Sequence, residues 1–352
     1  MFMMRKEIRY LALIIVFSLS LALFGCTEGA NKVLENSEEA TSSELIVVGF
    51  TQVGAESVWR NVNTQSMKET FTEENGYSLI FEDGQQKQSN QIMAIRKFIQ
   101  QGVDYIVLAP VTETGWDTVL MEAKQAGIPV IIVDRMVDVE DDSLYTCWVG
   151  SDFELEAEKV CTWIHDYCEN KNIDSSKLNI VNIQGNLGAS AQIGRTNGLK
   201  KASQEYGWNI LKQVSGDFTK TKGCNVMKDL LKQYKIINIV YCENDSMALG
   251  AIEALEEAGK KIGSNIKIGE VMVVSFDGVG QEAKQCVIDD KISCIAECNP
   301  HHGPRVKAII EKLEKGVEPQ KFYYVGEDVY VHDDSIDKIT VENVGYPLTV
   351  LR

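Results

Sequence analysis

The stretch Val130-Ile131-Ile132-Val133-Asp134-Arg135 contains the fold in miniature. Four β-branched residues in a row leave no polar face, so the strand they form must be covered on both sides, as strands of parallel sheets are. The run then breaks into an acid and a base, at the end where open α/β sheets place their ligand contacts. The same rhythm extends outward in both directions. Residues 45–50, 77–82 and 105–109 are earlier apolar runs; after 143–149 the pattern restarts at 179–184, 210–214, 238–242 and 271–276. Helical spacing lies between them, as in Ile92, Ile95, Phe98 and Ile99 closed by Gly102, or Ala248, Ile252, Leu255 and Ala258 closed by Gly259. Strand–helix alternation run through twice predicts an α/β chain of two doubly wound parallel-sheet lobes. Their strand-end loops would face a common cleft.

The amino terminus indicates where such a chain works. Arg5, Lys6 and Arg9 precede an apolar run over 11–24 that ends in Leu23-Phe24-Gly25-Cys26. This reads as a lipoprotein signal, with residues 1–25 as leader and Cys26 as the lipid attachment site. The apolar core is shorter than the ~20 residues of a membrane span. Residues 26–43, rich in Glu, Ser, Asn and Thr, read as a polar tether. The remainder is expected outside the cytoplasm, lipid-anchored to the cell membrane. It is long enough for two domains of about 100–200 residues. A formal charge of −16 repels phosphate backbones and argues against a nucleic-acid partner. Eight cysteines follow Cys26 with no Cys-x-x-Cys pair and no Cys/His cluster, so no zinc site is expected. Most sit in apolar patterns, where free thiols serve as small hydrophobes.

The residues just after each strand carry the chemistry. The first run leads into Glu56, Trp59 and Arg60 at a helix start; Trp59 there is either a core residue or a ligand platform. Asp134-Arg135 supplies acceptors and donors suited to vicinal hydroxyls, or else a structural ion pair. In the second half, Asn244-Asp245-Ser246 opens a helix, with Asp245 expected as its cap. Asp277, before Gly278, stands where Asp134 stands in the first half, as a ligand contact or a turn residue. Arg195 follows the Gly-rich segment 184–190, which lacks the lysine of a phosphate loop. No Ser/His or Cys/His constellation supports covalent catalysis, and with only four histidines (His165, His301, His302, His332) metal hydrolysis is unsupported too. Asp138, Glu140 and Asp142 lack the glycine and terminal glutamate of a calcium loop. Neither catalysis, a metal nor a cofactor is expected.

Taken in order, Gly49-Phe50-Thr51-Gln52-Val53-Gly54 with Trp59-Arg60, Asp83-Gly84-Gln85-Gln86-Lys87-Gln88, Ala109-Pro110-Val111, Val133-Asp134-Arg135, Ser215-Gly216-Asp217-Phe218-Thr219, Asn244-Asp245 and Asp277-Gly278 resemble the ribose/galactose class of sugar-binding proteins of bacterial ABC importers. Within that class the likeness is greatest to the galactofuranose-binding members. It spans residues 45 to about 338. Met136, Cys242-Glu243 and Cys298-Asn299 depart from the pattern. The resemblance implies a type I periplasmic-binding fold with lobes 44–147 plus 298–325 and 148–297 plus 326–352. Three hinge crossings would lie near 146–150, 296–299 and 325–328. It implies ligand contacts at Glu56, Trp59, Arg60, Asp134, Arg135, Arg195, Asn244 and Asp277, with Phe218 and Glu297 also placed where relatives touch sugar. The implied role is a monomer that captures a galactofuranose-like monosaccharide for an ABC permease in the membrane. The alternative is a sensing module that presents the sugar to a membrane kinase or chemoreceptor through the same hinge closure.

Overall fold

The structure, a computed structural model, describes residues 44–352. The leader, Cys26 and the tether lie outside the described residues. The first half runs β1 (Ile46–Gln52), α1 (Val58–Thr70), β2 (Tyr77–Asp83), α2 (Gln88–Gln101), β3 (Tyr105–Leu108), α3 (Asp117–Gln125), β4 (Val130–Val133) and β5 (Cys147–Gly150). The second runs α4 (Phe153–Asn170), β6 (Asn179–Gln184), α5 (Ser190–Tyr206), β7 (Asn209–Ser215), α6 (Lys220–Gln233), β8 (Ile239–Cys242), α7 (Asp245–Glu257), β9 (Met272–Asp277), α8 (Gln281–Ile288) and β10 (Cys294–Glu297). The chain then returns to the first half for α9 (His302–Glu314) and β11 (Phe322–Tyr324). It ends in the second with β12 (Val329–Val331), β13 (Lys338–Val341), β14 (Val344–Pro347) and β15 (Thr349–Val350).

One sheet has the order β11-β5-β4-β3-β1-β2 and is parallel throughout. The other, β15-β12-β10-β9-β8-β6-β7, is parallel except where β12 meets β10. β13 and β14 form a separate hairpin, whose Glu342 and Asn343 have φ of 49° and 68°, the two left-handed residues of a type I′ turn.

Both sheets are covered on both faces, as the unbroken apolar strands require. In the first lobe, Met67 of α1 and Phe71 at its C-terminal cap join Val306 and Ile310 from α9 on one face, and Ile95, Phe98 and Leu120 from α2 and α3 fill the other. In the second, Val160, Ile164 and Leu199 from α4 and α5 oppose Met227, Leu255 and Val287 from α6, α7 and α8. Each such fully buried side chain contributes roughly 1.5–3 kcal/mol. α2 comes close to β1 because Gly49 has no side chain: a Cβ there would lie 2.6 Å from the Phe98 ring.

Three crossings join the lobes, at residues 151–152, 298–301 and 325–328. The first differs from expectation. Residues 147–150 form β5 of the first sheet, paired with β4 and β11, so a division after 147 would cut a strand. The β11 pairing, made by a segment distant in sequence, holds 147–150 in that sheet.

Candidate functional site

The carboxyl ends of both sheets face one narrow cleft, with a cavity volume of about 20 Å³. On the first-lobe side, Ser57 caps α1 by accepting from the Arg60 amide at 3.3 Å, which fixes Trp59 and Arg60 in the first turn. Arg60 then ties three acceptors together. Nε meets Glu56 Oε1 at 3.1 Å, Nη2 meets Asp134 Oδ2 at 2.6 Å, and Nη1 donates to Gln52 Oε1 at 3.4 Å. Arg135 donates to the Val111 carbonyl at 3.0 Å and lies 3.6 Å from Glu56. Its Nε and Glu56 Oε2 are buried without hydrogen-bond partners, an arrangement that suits a ligand bearing both donors and acceptors. Burial alone would push the Asp134 carboxyl up; the Arg60 and Arg135 guanidiniums outweigh it and hold the group below the usual carboxylate range. Burial and the neighbouring Arg60 pull Arg135 down to about 10.

On the second-lobe side, Arg195 in α5 meets Glu156 at 2.8 Å and Asp277 at 3.4 Å, with its guanidinium 4.8 Å above the Phe276 ring. Burial pushes Asp277 well above the ordinary range; Arg195 opposes this and Asp245 adds to it. Asp134 and Asp277, matching strand-end residues, both have left-handed backbone, with φ of 61° and 102°. Asn244, not Asp245, caps α7: its Oδ1 accepts from the Met247 amide at 2.9 Å. Asp245 instead accepts from Ser275 Oγ at 2.6 Å and the Gly278 amide at 2.8 Å, bracing the loop that carries Asp277. Asn244 Nδ2 donates to the Phe218 carbonyl at 3.2 Å, so the cap also holds the aromatic loop. The Phe218 ring lies over Gly185, where a Cβ would stand 1.9 Å from it.

The lobes are in contact across the cleft mouth. The Glu113 amide donates to the Gly188 carbonyl at 3.1 Å, and the Met136 amide to Ser190 Oγ at 2.9 Å. The Arg135 guanidinium sits 5.2 Å over the Phe218 ring. This is a closed arrangement.

The lining brings together Glu56, Trp59, Arg60, Asp134, Arg135, Arg195, Phe218, Asn244 and Asp277, all expected from sequence. Glu297 stays outside it. As the last residue of β10 it turns toward the third crossing, accepting from the Asp328 amide at 3.1 Å and from Asn299 at 3.3 Å. Trp59 is at once lining and core. It is 5% exposed, packed against His302, and its indole donates to the Cys298 carbonyl at 2.7 Å. Sequence reasoning missed Phe153, Ser57, Ala191 and Cys298 in the lining. Phe153 opens α4 just past the end of β5, so extending the strand-end rule to the start of the next helix would have found it.

A family model described as "periplasmic binding protein domain" matches residues 48–302. The chain belongs to that family. It is 39% identical over 307 residues to the galactofuranose-binding protein YtfQ of Escherichia coli (strain K12), covering 86% of this chain and 93% of that one. Among solved structures, the periplasmic component of the arabinose ABC transporter from Shewanella sp. ANA-3, bound to α- and β-L-arabinofuranose, is 39% identical with a TM-score of 0.75, covering 81% of this chain and 91% of that one. A Mycobacterium smegmatis protein in complex with β-D-fucofuranose is 38% identical with a TM-score of 0.76, covering 82% and 92%. The fold is therefore that of type I periplasmic binding proteins, extracytoplasmic and non-enzymatic, and the two-lobed expectation holds.

Proposed function

We propose that the chain is an extracytoplasmic lipoprotein, anchored through Cys26, whose cleft captures a neutral monosaccharide in its furanose form and hands it to an ABC permease. One observation carries the reading. Two strand-end aspartates from opposite lobes, Asp134 and Asp277, converge on a closed cleft, each beside arginines, with Trp59, Phe153 and Phe218 among the walls. Sugar hydroxyls both donate and accept, and the C–H faces of the ring suit aromatic surfaces. Arg60, Arg135 and Arg195 each already face a carboxyl among Glu56, Asp134, Glu156 and Asp277, so no arginine stands unpaired for an anionic ligand. The relatives above are a galactofuranose-binding protein and structures bound to arabinofuranose and fucofuranose, which favours the furanose ring form here. Closure expels water, so a ligand that leaves any of these buried groups unpaired is penalised.

A thermal-shift panel tests this. Galactofuranose, arabinofuranose and pyranose sugars are compared with amino acids and nucleosides. A ligand at a hundred times its Kd adds ~2.7 kcal/mol. A silent sugar panel alongside a shift with an amino acid or nucleoside would overturn the reading. The anchor is tested separately: Cys26→Ser should yield soluble exported protein or an uncleaved precursor, and fully processed membrane-bound protein would refute it.

A further inference from the structure

The three crossings meet at one partly buried carboxyl. Glu327, on the third, accepts through Oε1 from Ser151 Oγ on the first at 2.5 Å and from the Asn299 amide on the second at 2.7 Å. Ser151 Oγ is also 3.3 Å from Cys298 Sγ. One carboxyl oxygen thus links all the segments about which the lobes rotate.

Ligating atoms of Glu156, Cys298 and Glu327 lie within 4.8 Å of one another. Glu156 is 1% exposed; Oε2 pairs with Arg195 at 2.8 Å, while Oε1 is buried with no hydrogen-bond partner. The other charged groups around Glu327 are few. Lys159 of α4 donates to its backbone carbonyl, Arg195 approaches from α5, and Arg305 of α9 and Glu297 of β10 flank the crossing. Two carboxyls this close, one fully buried and the other partly so, cannot both ionise without cost. Burial pushes Glu327 up to about 7, Glu156 well above the ordinary range and the Cys298 thiol up as well. The network ends at the sugar platform, because the Cys298 carbonyl receives the Trp59 indole.

We propose that Glu327 is a positioning residue for ligand capture: a hinge carboxyl that holds a proton beside Glu156 and Cys298 while the cleft is closed and releases it as the lobes part. The inference rests on the sugar-binding reading. Rotation about the crossings separates Ser151, Asn299 and Glu327, admits water and returns Glu327 to an ordinary carboxyl of about 4.3. Closure then takes up a proton. The closed form binds more protons, so it is favoured at low pH. Ligand affinity falls by up to about tenfold per pH unit as pH rises toward the closed-state value, and levels off above it.

The test is isothermal titration of arabinofuranose or galactofuranose across this pH range, in buffers of different ionisation enthalpy. The parent should take up close to one proton per sugar near the middle of the range, and its affinity should fall with rising pH. Glu327→Gln, which keeps the acceptor oxygen and mimics the protonated acid, should bind with a flattened pH profile and lose the uptake. If that variant does not fold, Ser151→Ala serves: losing a donor to the carboxylate should move the levelling-off to higher pH. A flat profile in the parent, or an unchanged slope in Glu327→Gln or unchanged levelling-off in Ser151→Ala, overturns the proposal. So does a zinc-dependent rise in melting temperature that Cys298→Ser abolishes, which would make the cluster a cation site. Absence of sugar binding at every pH overturns the sugar reading and this inference with it.

Discussion

The indole of Trp59, in the first lobe, donates a 2.7 Å hydrogen bond to the carbonyl of Cys298, in the second hinge crossing. The side chain best placed to stack on a ligand is therefore also a strut of the hinge. Trp59→Ala should lower the unliganded protein's stability by ~3–5 kcal/mol and weaken sugar binding. Trp59→Phe should keep a ring in the wall but strand the Cys298 carbonyl, costing ~1–3 kcal/mol. Urea unfolding beside ligand titration reads both. An unliganded Trp59→Ala protein as stable as the parent would make Trp59 a platform alone.

The two strand-end aspartates should respond to pH in opposite directions. Asp134 is held low, so its stabilisation is present above the unfolded value of about 3.9 and is lost as pH falls through its lower folded value. Asp277 is pushed up, so its contribution is present below about 3.9 and is lost as pH rises through its raised folded value. At neutral pH, Asp134→Asn should cost ~1.5–3 kcal/mol by removing one of the two carboxylates paired with Arg60, while Asp277→Asn should cost far less. Carboxyl NMR titration of both groups and urea melts of the variants check this; the reverse order of costs would refute it.

Phe218 owes its place to the bare backbone at Gly185. Gly185→Ala should displace the ring, remove the Arg135–Phe218 contact and weaken sugar binding at least tenfold, a loss of ~1.4 kcal/mol. In a Phe218→Leu background the same change should cost much less, because the two act as one unit. Equal losses in the two backgrounds would separate them.

Thiol reagents should find little to attack. All eight cysteines of the described residues are free, and only Cys286 is more than marginally exposed. Burial raises Cys147 and Cys168 to about 12, which suppresses the reactive thiolate. Ellman's reagent should label one site quickly in the native protein and the rest only on unfolding. Fast labelling of several sites without denaturant would show that the native hinge or core opens readily.

The central strands of both sheets were readable because each is a run with no polar face, and Asp134 and Asp277 because each ends such a run. The short strands β10 to β15 were not. Phe322–Tyr324 is three residues with little burial, and becomes a strand only by pairing with β5, far away in sequence. The same pairing moved the first crossing. Asn244 and Asp245 are equally good caps on paper; Ser275 and Gly278, brought up by β9, claim the Asp245 carboxylate and leave the cap to Asn244. Glu156 and Glu327 gave no local signal, since they meet only where separate crossings converge.

The left-handed backbone at Asp134 and Asp277 also bears on how the lineage of this protein can change. With φ of 61° and 102°, these positions favour Gly, Asn and Asp and disfavour residues with bulkier or branched side chains. Glycine would take away one of the carboxyls that Arg60 or Arg195 faces, whereas asparagine keeps the turn and an acceptor while removing a negative charge. Selection for a new diet can then act at these two positions mainly by exchanging carboxylate for amide, a step toward sugars that carry an acid group of their own. Broader change of specificity would have to come from the surrounding walls, where only Phe218, with φ of 59°, is restricted in the same way.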